Sequence, residues 1–573
     1  MDLFWSGYVV DVPGCKMPFY DPYHRTIKHS ARKTPFNYDG YCANVAHPNA
    51  LRQAVDVFSL DEEVLRRGYN ASANDTHCYY QAVLRNTSAV DPDTDPLLGP
   101  PISLVFGRPL RQDYVRISCE SKGTHLFSGY FFVPVDKREA GEPLSPGQLN
   151  VLILGIDSTS RINFNRRMAR TRRFLVQERG AYEFLMYNKV GPNSFPNLVP
   201  LLTGMSSADM TRLFRGIHYD TLPAVWKVYK SLGYATLFLE EMPTWGIFTG
   251  ALGFKEAPTD YYAHPMMLLM DVNSSDPFTC MGGRPKTKEV LDYVARVLEL
   301  HAERRLFAFA WLAYISHESI EQVAYMDEPV ERFFRNLAGK GLLDRTAVLF
   351  LSDHGMRQGT YRRTEIGRHE DKTPYCLWVL PRGFLVEHPE VAASLEVNQR
   401  RLVTTYDFHA TLLSLASLPE LDVVPSKKGL SLFRPVPPER TCEHAFVPQA
   451  FCACVGTEKK LDDVSMGQSF ALFAVAYINA VAEVRFPGKC AAWRLDSVYD
   501  ASAYGGGVAG KVLIRVSFKT SPEAYFDVYG AIHNASTWEK QVDHVDRSDS
   551  FANKTTCLEK SSWAKFCNCK DQT

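Results

Sequence analysis

Four polar positions in the middle of the chain carry residue types that could hold a divalent metal and attack an ester. Asp157 follows the apolar run LNVLILGI, Asp353 and His354 follow the run AVLFLS, and Ser194 precedes the apolar stretch FPNLVPLLTG. Carboxylate oxygens and an imidazole nitrogen are ligands for zinc and related cations. A serine hydroxyl next to such a metal becomes a nucleophile. These residue types therefore predict a metal site with a serine nucleophile.

Each of these positions also has a structural interpretation. Ser194 could cap the following helix, because its hydroxyl can accept from first-turn N–H groups, and Pro196 fits a first turn without losing a hydrogen bond. Asp157 could cap its own turn, and Asp353 and His354 could form a polar turn with a glycine. The same helix N-terminus would equally favour a phosphate beside the hydroxyl of Ser194. Both interpretations remain open at this level.

Further polar residues follow the predicted strands, where ligands of open α/β sheets bind. His317 comes after the run LAYIS, and Glu240 and Glu241 end the run ATLFLEE. The two glutamates could complete a second metal site, bind a cationic substrate group, or cap the loop after Pro243. Arg161 could clamp a phosphate or form an ordinary ion pair.

The elements that must position these residues lie between residues 149 and 430, where apolar strands alternate with helical periods. This alternation predicts an α/β fold with a large, mainly parallel sheet sandwiched by helices. Residues 1–148 form a disulfide-pinned N-terminal region of short β-like runs. Residues 431–573 form a smaller, cysteine-rich α+β region, in which KVLIRVSFKT and EAYFDVYGAI are predicted to pair as a hairpin.

Composition excludes some classes of function. Among 573 residues, Lys plus Arg and Asp plus Glu number 64 each, so no net charge attracts nucleic acid, and we exclude nucleic-acid binding as the main function. No stretch reaches the roughly 18 apolar residues of a membrane span. The first residues also lack the pattern of a signal peptide. We therefore expect an upstream signal or anchor that this sequence does not include.

Cysteines and glycosylation motifs indicate an oxidising compartment. The 13 cysteines cluster towards the two ends and lack the paired spacing of zinc ribbons, which predicts disulfides, with Cys376 as the unpaired thiol. Clustered cysteines together with several sequons predict a secreted or luminal glycoprotein. The predicted glycosylation sites are Asn70, Asn74, Asn86, Asn273, Asn534 and Asn553.

Three motifs resemble those of the alkaline phosphatase superfamily. SFPNLVPLLTG resembles the nucleophile turn of nucleotide pyrophosphatases/phosphodiesterases, with Ser194 in place of threonine, while LGIDSTSR and LSDHGM resemble the first and second metal motifs. Longer stretches, including GIDSTSRINFNRRM and LSDHGMRQGTYRRTEIGRHEDKTPY, resemble an invertebrate extracellular family of unknown function with a sulfatase-like core. That resemblance covers most of the chain and implies an alkaline-phosphatase-like fold and an extracellular location.

The resemblance implies one complete metal site. In it, Asp157, Asp353 and His354 would hold a divalent metal, zinc in relatives, with Ser194 as the fourth ligand and the nucleophile. The second metal site of two-zinc relatives takes an Asp and a His four residues apart and a later His. This chain offers His317, Glu321 and His369 instead, so the second site is incomplete.

His317 also resembles the substrate-side histidine of sulfatases. Conversion of the nucleophile to formylglycine, however, requires an arginine where this chain has Leu198, which argues against a sulfatase. We therefore predict an extracellular, metal-dependent phosphoric ester hydrolase or phosphotransferase acting on an unidentified phosphate ester. The alternative is a non-catalytic secreted protein that retains the fold for binding.

Overall fold

The N-terminal region consists of small antiparallel sheets that are joined by disulfides to the rest of the molecule. The computed structural model describes residues 7–24, 42, 49–137, 141–249, 252–273, 280–281, 283–421, 426–454, 458–461, 464–504, 511–533, 539–558, 561 and 563–570. The Cys78–Cys119 disulfide bridges two paired strands, Cys42–Cys280 joins this region to the core, and Cys15–Cys454 joins it to the C-terminal region. Its elements are β1 (Tyr8–Val12), β2 (Cys15–Pro18), β3 (Leu51–Ala54), β4 (Val57–Leu60), α1 (Glu62–Tyr69), β5 (Thr76–Arg85), β6 (Pro96–Leu98), β7 (Ile102–Ser103), β8 (Tyr114–Ser121) and β9 (Thr124–Phe132).

The core begins with a strand and continues as alternating strands and helices, as predicted. Short 3-10 turns and one π-helical turn link several of these elements. The elements of the core are β10 (Asn150–Ile156), α2 (Arg161–Arg167), α3 (Ala169–Arg172), β11 (Tyr182–Glu183), α4 (Ser194–Thr203), α5 (Ser207–Leu213), α6 (Val225–Ser231), β12 (Ala235–Glu240), β13 (Tyr261–Tyr262), α7 (His264–Asn273), β14 (Cys280–Met281), β15 (Arg284–Pro285), α8 (Lys286–Leu300), β16 (Leu306–Leu312), α9 (Asp327–Gly339), β17 (Thr346–Leu351), α10 (Glu365–Lys372), β18 (Cys376–Val379), α11 (Arg382–Glu387), α12 (Pro389–Asn398) and α13 (Thr405–Ala416).

A seven-stranded sheet forms the centre of the core, in the order β11-β18-β17-β10-β16-β12-β13. Strands β17, β10, β16, β12 and β13 are parallel, and β18 runs antiparallel to both of its neighbours. All residues of β10, β16 and β17 are buried, because helices cover both faces of the sheet. The predicted fold class is therefore confirmed.

The register of the sheet brings three strand ends together. Gly155 of β10 pairs with Trp311 of β16 on one side and with Leu351 of β17 on the other. A Cβ atom at Gly155 would lie 1.8 Å from the Trp311 ring, so only glycine fits at this crossing. The chain segments that follow β10, β16 and β17 consequently emerge at the same edge of the sheet.

The C-terminal region is an antiparallel sheet with one long helix packed on it. The predicted hairpin is present as β21 (Lys511–Ser521) and β22 (Ala524–His533), which pair from Lys511 to Thr520 of β21. The disulfides Cys442–Cys452, Cys490–Cys567 and Cys557–Cys569 lie in this part of the chain. Its elements are β19 (Glu458–Lys460), α14 (Val464–Arg485), β20 (Arg494–Tyr504), β21 (Lys511–Ser521), β22 (Ala524–His533) and β23 (Glu539–Arg547).

Helix α14 qualifies the prediction that no segment could span a membrane. By length and composition alone, α14 is the one helix in the described part of the chain that could cross a bilayer. Its inner face is buried on the C-terminal sheet through residues that include Phe470, Ala474 and Ile478. A helix with one face in a protein core passes the same test, so the finding is weak evidence for a span.

The cysteine predictions are confirmed, since six disulfides form and Cys376 is a free, buried thiol in β18. Asn70, Asn74 and Asn553 are exposed and Asn86 is half-buried. The structure of Asn534 and the side chain of Asn273 lie outside the description. Glycosylation at these six positions stays a prediction.

Candidate active site

Asp157 is held at the end of β10 by a tight turn. Its backbone N–H donates to Leu312 O at 2.9 Å, which continues the sheet by one residue. Ser158 has a left-handed φ of 56°, which is uncommon for a residue with a side chain. In this conformation the Ser158 hydroxyl donates to Asp157 Oδ1 at 2.6 Å, and its N–H donates to Asp353 Oδ1 at 3.2 Å. The turn therefore links the two carboxylates.

Asp353 and His354 follow β17 and are fully buried. Asp353 Oδ1 accepts from the N–H groups of Ser158 and His354, at 3.2 and 2.9 Å. Asp353 Oδ2 and His354 Nε2 have no hydrogen-bond partner among the described residues and lie 3.1 Å apart. A Cβ atom at Gly355 would lie 2.2 Å from Glu370 O, so only glycine lets this turn pack against the backbone of α10.

The chemistry of this pair fits a bound cation. His354 Nδ1 lies 2.8 Å from Gly355 O, and since a carbonyl only accepts, Nδ1 carries the proton and Nε2 carries a lone pair. Burial lowers the pKa of His354 to about 3 and raises the pKa of Asp353. Two buried acceptor atoms therefore face each other, an arrangement that costs free energy unless a cation lies between them. Ligand atoms of Asp157, Asp353 and His354 all lie within 4.8 Å of one another.

Ser194 faces this cluster from the N-terminus of α4. It is the first helical residue, whereas Asn193 occupies the capping position. Its hydroxyl donates to Asp157 Oδ2 at 3.3 Å. The preceding loop is fixed by Asn197, whose Oδ1 accepts from the N–H groups of Val190 and Gly191 at 2.7 and 3.0 Å. The position of the hydroxyl thus favours the nucleophile interpretation over a structural cap.

A cavity of about 450 Å³ opens in front of Ser194, and His317 and Arg357 lie in its wall. His317 Nδ1 lies 2.8 Å from Glu318 Oε1, and the His317 ring packs against the Trp245 ring with centroids 4.5 Å apart. Burial alone would lower the pKa of His317, but the hydrogen bond to Glu318 and the charge of Asp157 outweigh it, and the pKa is raised. His317 can therefore hold a proton near Ser194.

Three predicted site residues do not join the cavity. Arg161 does not line the cavity in front of Ser194, since its side chain is buried where Glu183 and Glu370 act on its charge, and its role as a phosphate clamp stays a prediction. Glu321 is exposed in the loop after His317. His369 lines a different cavity, between α10 and the C-terminal sheet, so the described residues do not assemble a second metal site from these groups.

Glu240 and Glu241 serve as structural acceptors rather than as site residues. Glu240 Oε1 accepts from Ile247 N at 2.7 Å, which caps the loop after Pro243. Glu241 Oε2 accepts from the N–H groups of Ala313 and Tyr314 at 2.8 and 3.0 Å. Burial raises the pKa of Glu240 to about 8 and that of Glu241 to about 7. Among the alternatives for these residues, the structure favours capping.

Sequence reasoning missed three residues that shape the site. Arg357 lies three positions after His354, and Trp245 lies two positions after Pro243, so both are close in sequence to predicted site residues. Asn197 stands within the serine turn itself. Each of these side chains contributes to the site because of the direction in which it points. That direction is set by the folded loops and not by the spacing of residues in the sequence.

Residues 49–499 match a family described as protein of unknown function (DUF229). No curated protein matches the chain. Similar solved structures include the C-terminal periplasmic domain of EcEptC from Escherichia coli, which is 15% identical and aligns over 50% of this chain and 90% of that chain with a TM-score of 0.35. The lipoteichoic acid synthase LtaP from Listeria monocytogenes is 13% identical over 50% of this chain and 76% of that chain, with a TM-score of 0.34. A protein in the alkaline phosphatase superfamily from Vibrio parahaemolyticus is 12% identical over 71% of this chain and 85% of that chain, with a TM-score of 0.35.

Proposed function

We propose that this chain, which belongs to the DUF229 family of proteins of unknown function, is a metal-dependent hydrolase or transferase of phosphoric esters. One observation carries the proposal: the hydroxyl of Ser194 meets Asp157 at 3.3 Å, beside the buried pair Asp353 and His354. These residues come from three separate segments. Structural caps and turns do not require such convergence, whereas a nucleophile beside a metal does.

Asp157, Asp353 and His354 would hold the metal, and the oxygen of Ser194 would complete the set. Two carboxylates, one imidazole and one hydroxyl form an oxygen-and-nitrogen donor set suited to zinc. A metal held there supplies a lowered pKa for the serine hydroxyl and stabilises negative charge on the phosphoryl oxygens.

The chain's own residues then account for the transfer. The oxygen of Ser194 attacks phosphorus and forms a new P–O bond while the bond to the leaving oxygen breaks. His317 is placed in the same cavity to give that oxygen its proton. Water or an acceptor alcohol next attacks the phosphoserine: a new P–O bond forms, the bond between phosphorus and the Ser194 oxygen breaks, and the attacking hydroxyl returns a proton to His317. The Ser194 oxygen regains from solvent the proton that it gave up in the first step. The N-terminus of α4, which begins at Ser194, favours an anion beside that residue.

Two features bear on the compartment in which the protein acts and on the type of ester that it cleaves. Six disulfides support an extracellular or luminal location, where disulfides persist. Leu198 is fully buried in α4, at the position where formylglycine formation requires an arginine, which disfavours sulfate ester hydrolysis.

Metal analysis combined with turnover tests the proposal. The secreted, disulfide-bonded protein is assayed with p-nitrophenyl phosphate and bis-p-nitrophenyl phosphate, and its metal content is measured. We expect about one divalent metal per chain and a loss of roughly 10⁴-fold or more in kcat on Ser194→Ala, because removing a nucleophile costs this much.

Ser231→Ala is the matched control, since Ser231 is an exposed serine whose hydroxyl donates to Val228 O. This variant should retain full activity. Turnover that survives Ser194→Ala would refute the assignment of the nucleophile. A metal-loaded protein that hydrolyses neither ester would favour the non-catalytic alternative.

A further inference from the structure

We propose that Arg357 binds the anionic group of the substrate beside Ser194, and that the apolar wall of the same cavity selects an uncharged, apolar substituent. This apolar wall comprises Phe195, Phe214, Trp245 and Ile247. The inference rests on the proposed function and names its substrate class. That class is phosphate esters with an aromatic or aliphatic group and without a cationic group.

Arg357 lies close to the reacting groups. It is half-buried in the loop after β17 and lines the cavity together with Ser194 and His317. Its charge acts on His317, Glu318 and His354, so the guanidinium lies within electrostatic range of the metal cluster and of the cavity histidine.

Two arginines that follow in the chain, Arg362 and Arg368, are paired with carboxylates, whereas Arg357 has no such pair in the described structure. Arg362 contacts the carboxylates of Asp371 and Asp527, and Arg368 contacts that of Asp500. Within the described ranges of the chain, no hydrogen bond or ion pair involves the Arg357 side chain. A half-buried guanidinium that makes no direct contact with a carboxylate is stabilised when a ligand supplies the anion, and a planar guanidinium matches phosphate oxygens.

The charge of the cavity argues against a cationic substrate group. Its charged lining residues in the described structure are Arg215 and Arg357, both basic, and no Asp or Glu contributes to that lining. The nearby Glu240 and Glu241 are buried and accept backbone hydrogen bonds elsewhere. A cation on the substrate would therefore meet like charge inside the cavity, and the carboxylate of Glu318 at its edge is already hydrogen-bonded to His317.

The apolar wall offers a surface for a ring or an alkyl chain. Trp245 is 45% exposed although it lies in the cavity, and its ring is held against that of His317. Such an exposed aromatic side chain is able to stack on an apolar substituent. Phe214, another residue of the apolar wall, is buried.

Two diesters with one leaving group separate these effects. p-Nitrophenyl phenyl phosphate and p-nitrophenyl phosphorylcholine both release p-nitrophenol and carry one negative charge at phosphorus, but the second substituent is apolar in one and cationic in the other. We expect kcat/KM to be at least tenfold higher for the phenyl ester. Trp245→Ala should reduce this preference, and Arg357→Gln should reduce kcat/KM for both esters by roughly 10- to 100-fold, as expected for a lost contact to a charged group.

Binding of phenylphosphonate, which has no ester bond to cleave, provides a readout besides turnover. Isothermal titration of the metal-loaded protein should show at least tenfold weaker binding by Arg357→Gln, with partial recovery in Arg357→Lys. Arg212→Gln is the control, because Arg212 lies outside the cavity lining and its side chain is 71% exposed in an ion pair with Asp209.

The outcomes distinguish this inference from the proposed function. Binding that depends on Arg357 in a protein that cleaves neither these two diesters nor the two p-nitrophenyl phosphates of the first test would support the anion site and overturn the enzymatic proposal. Equal binding by Arg357→Gln and the unsubstituted protein, or no binding by either, would overturn the role of Arg357. Equal kcat/KM for the two esters would overturn the selection of an apolar substituent.

Discussion

At the scale of single residues, the pair Asp353 and His354 has the strongest physical consequence. Both side chains are fully buried, and the two facing atoms, Oδ2 and Nε2, are 3.1 Å apart and have no hydrogen-bond partner among the described residues. A core selected only for stability would not retain two such acceptors, because each loses its hydration without compensation. A cation bound between the two atoms compensates for the lost hydration. An amide NH₂ in place of Oδ2 can do so as well, because it donates a hydrogen bond to Nε2.

Asp353→Asn is therefore expected to abolish metal binding without unfolding the protein. The amide oxygen can replace Oδ1 as acceptor from Ser158 and His354, while the amide NH₂ can donate to His354 Nε2. Chelation should lower the melting temperature of the unsubstituted protein, since the metal binds only the folded state. The variant should contain less than about 0.1 metal per chain, and its melting temperature should not respond to chelator.

Asp292→Asn, on α8, where the side chain is 43% exposed in an ion pair with Lys288, is the control and should retain the metal. Metal content unchanged by Asp353→Asn would show that the metal is bound elsewhere. Loss of both metal and folded structure would contradict the expectation that the amide stabilises the metal-free site. Circular dichroism distinguishes a folded variant without metal from an unfolded one.

At the scale of elements, the ends of parallel strands position the site, and buried glutamates fix the loops that follow. Glu241 joins the end of β12 to the turn after β16, because it accepts from Ala313 and Tyr314, and it also accepts from the hydroxyl of Thr287 at 2.6 Å. That turn leads to His317. Glu241 thus fixes His317 through the backbone of the turn that precedes it.

Glu241→Gln should destabilise the protein by about 1–3 kcal/mol, because one amide NH₂ then faces groups that donate. Glu240→Gln is the matched control. Glu240 makes one described backbone hydrogen bond, which the amide oxygen can keep, and with a pKa raised by burial to about 8 it is already largely neutral at pH 7. Chemical denaturation at pH 7 compares the two, and equal losses would refute the special role of Glu241.

Strand ends also explain how much of the site the sequence could predict. Asp157, Asp353 and His354 were found because parallel strands place their carboxyl ends at one edge, a property set by backbone topology. Arg161 and His369 do not line the cavity beside Ser194, because each lies on a helix, α2 or α10, that directs its side chain elsewhere, which spacing does not reveal. Disulfide partners such as Cys15 and Cys454, 439 residues apart, likewise depend on tertiary packing.

At the scale of the whole molecule, a buried charge network holds the C-terminal sheet against the segments that carry the site. Arg362 is 1% exposed and contacts Asp371 of α10, Asp527 of β22 and Asp546 of β23, at 3.0, 2.9 and 2.9 Å. Asp371 also pairs with Lys189 at 2.5 Å, five positions before Ser194. The C-terminal region therefore contributes to the placement of the serine loop.

Arg362→Gln should consequently cost about 3–5 kcal/mol of unfolding free energy at pH 7, because it leaves buried carboxylates without their cation. Arg67→Gln is the control, since Arg67 is 73% exposed in a helical pair with Glu63, and such pairs contribute about 0–1 kcal/mol. Denaturant unfolding monitored by tryptophan fluorescence measures both. A loss for Arg362→Gln no larger than the control's would show that the network does not hold the regions together.

The same network sets a dependence on pH. Burial alone would raise the pKa of Asp371, but Lys189 and Arg362 outweigh it and hold the pKa well below its usual range, and Arg362 does the same for Asp527. A carboxylate whose folded pKa is depressed contributes stability above its unfolded pKa of about 4, and this contribution is lost as the pH falls towards the folded value. The difference in stability between Arg362→Gln and the unsubstituted protein should therefore be largest near neutral pH and shrink below about pH 4. A difference that stays constant between pH 7 and pH 3 would mean that Arg362 acts through packing rather than through the ionised carboxylates it contacts.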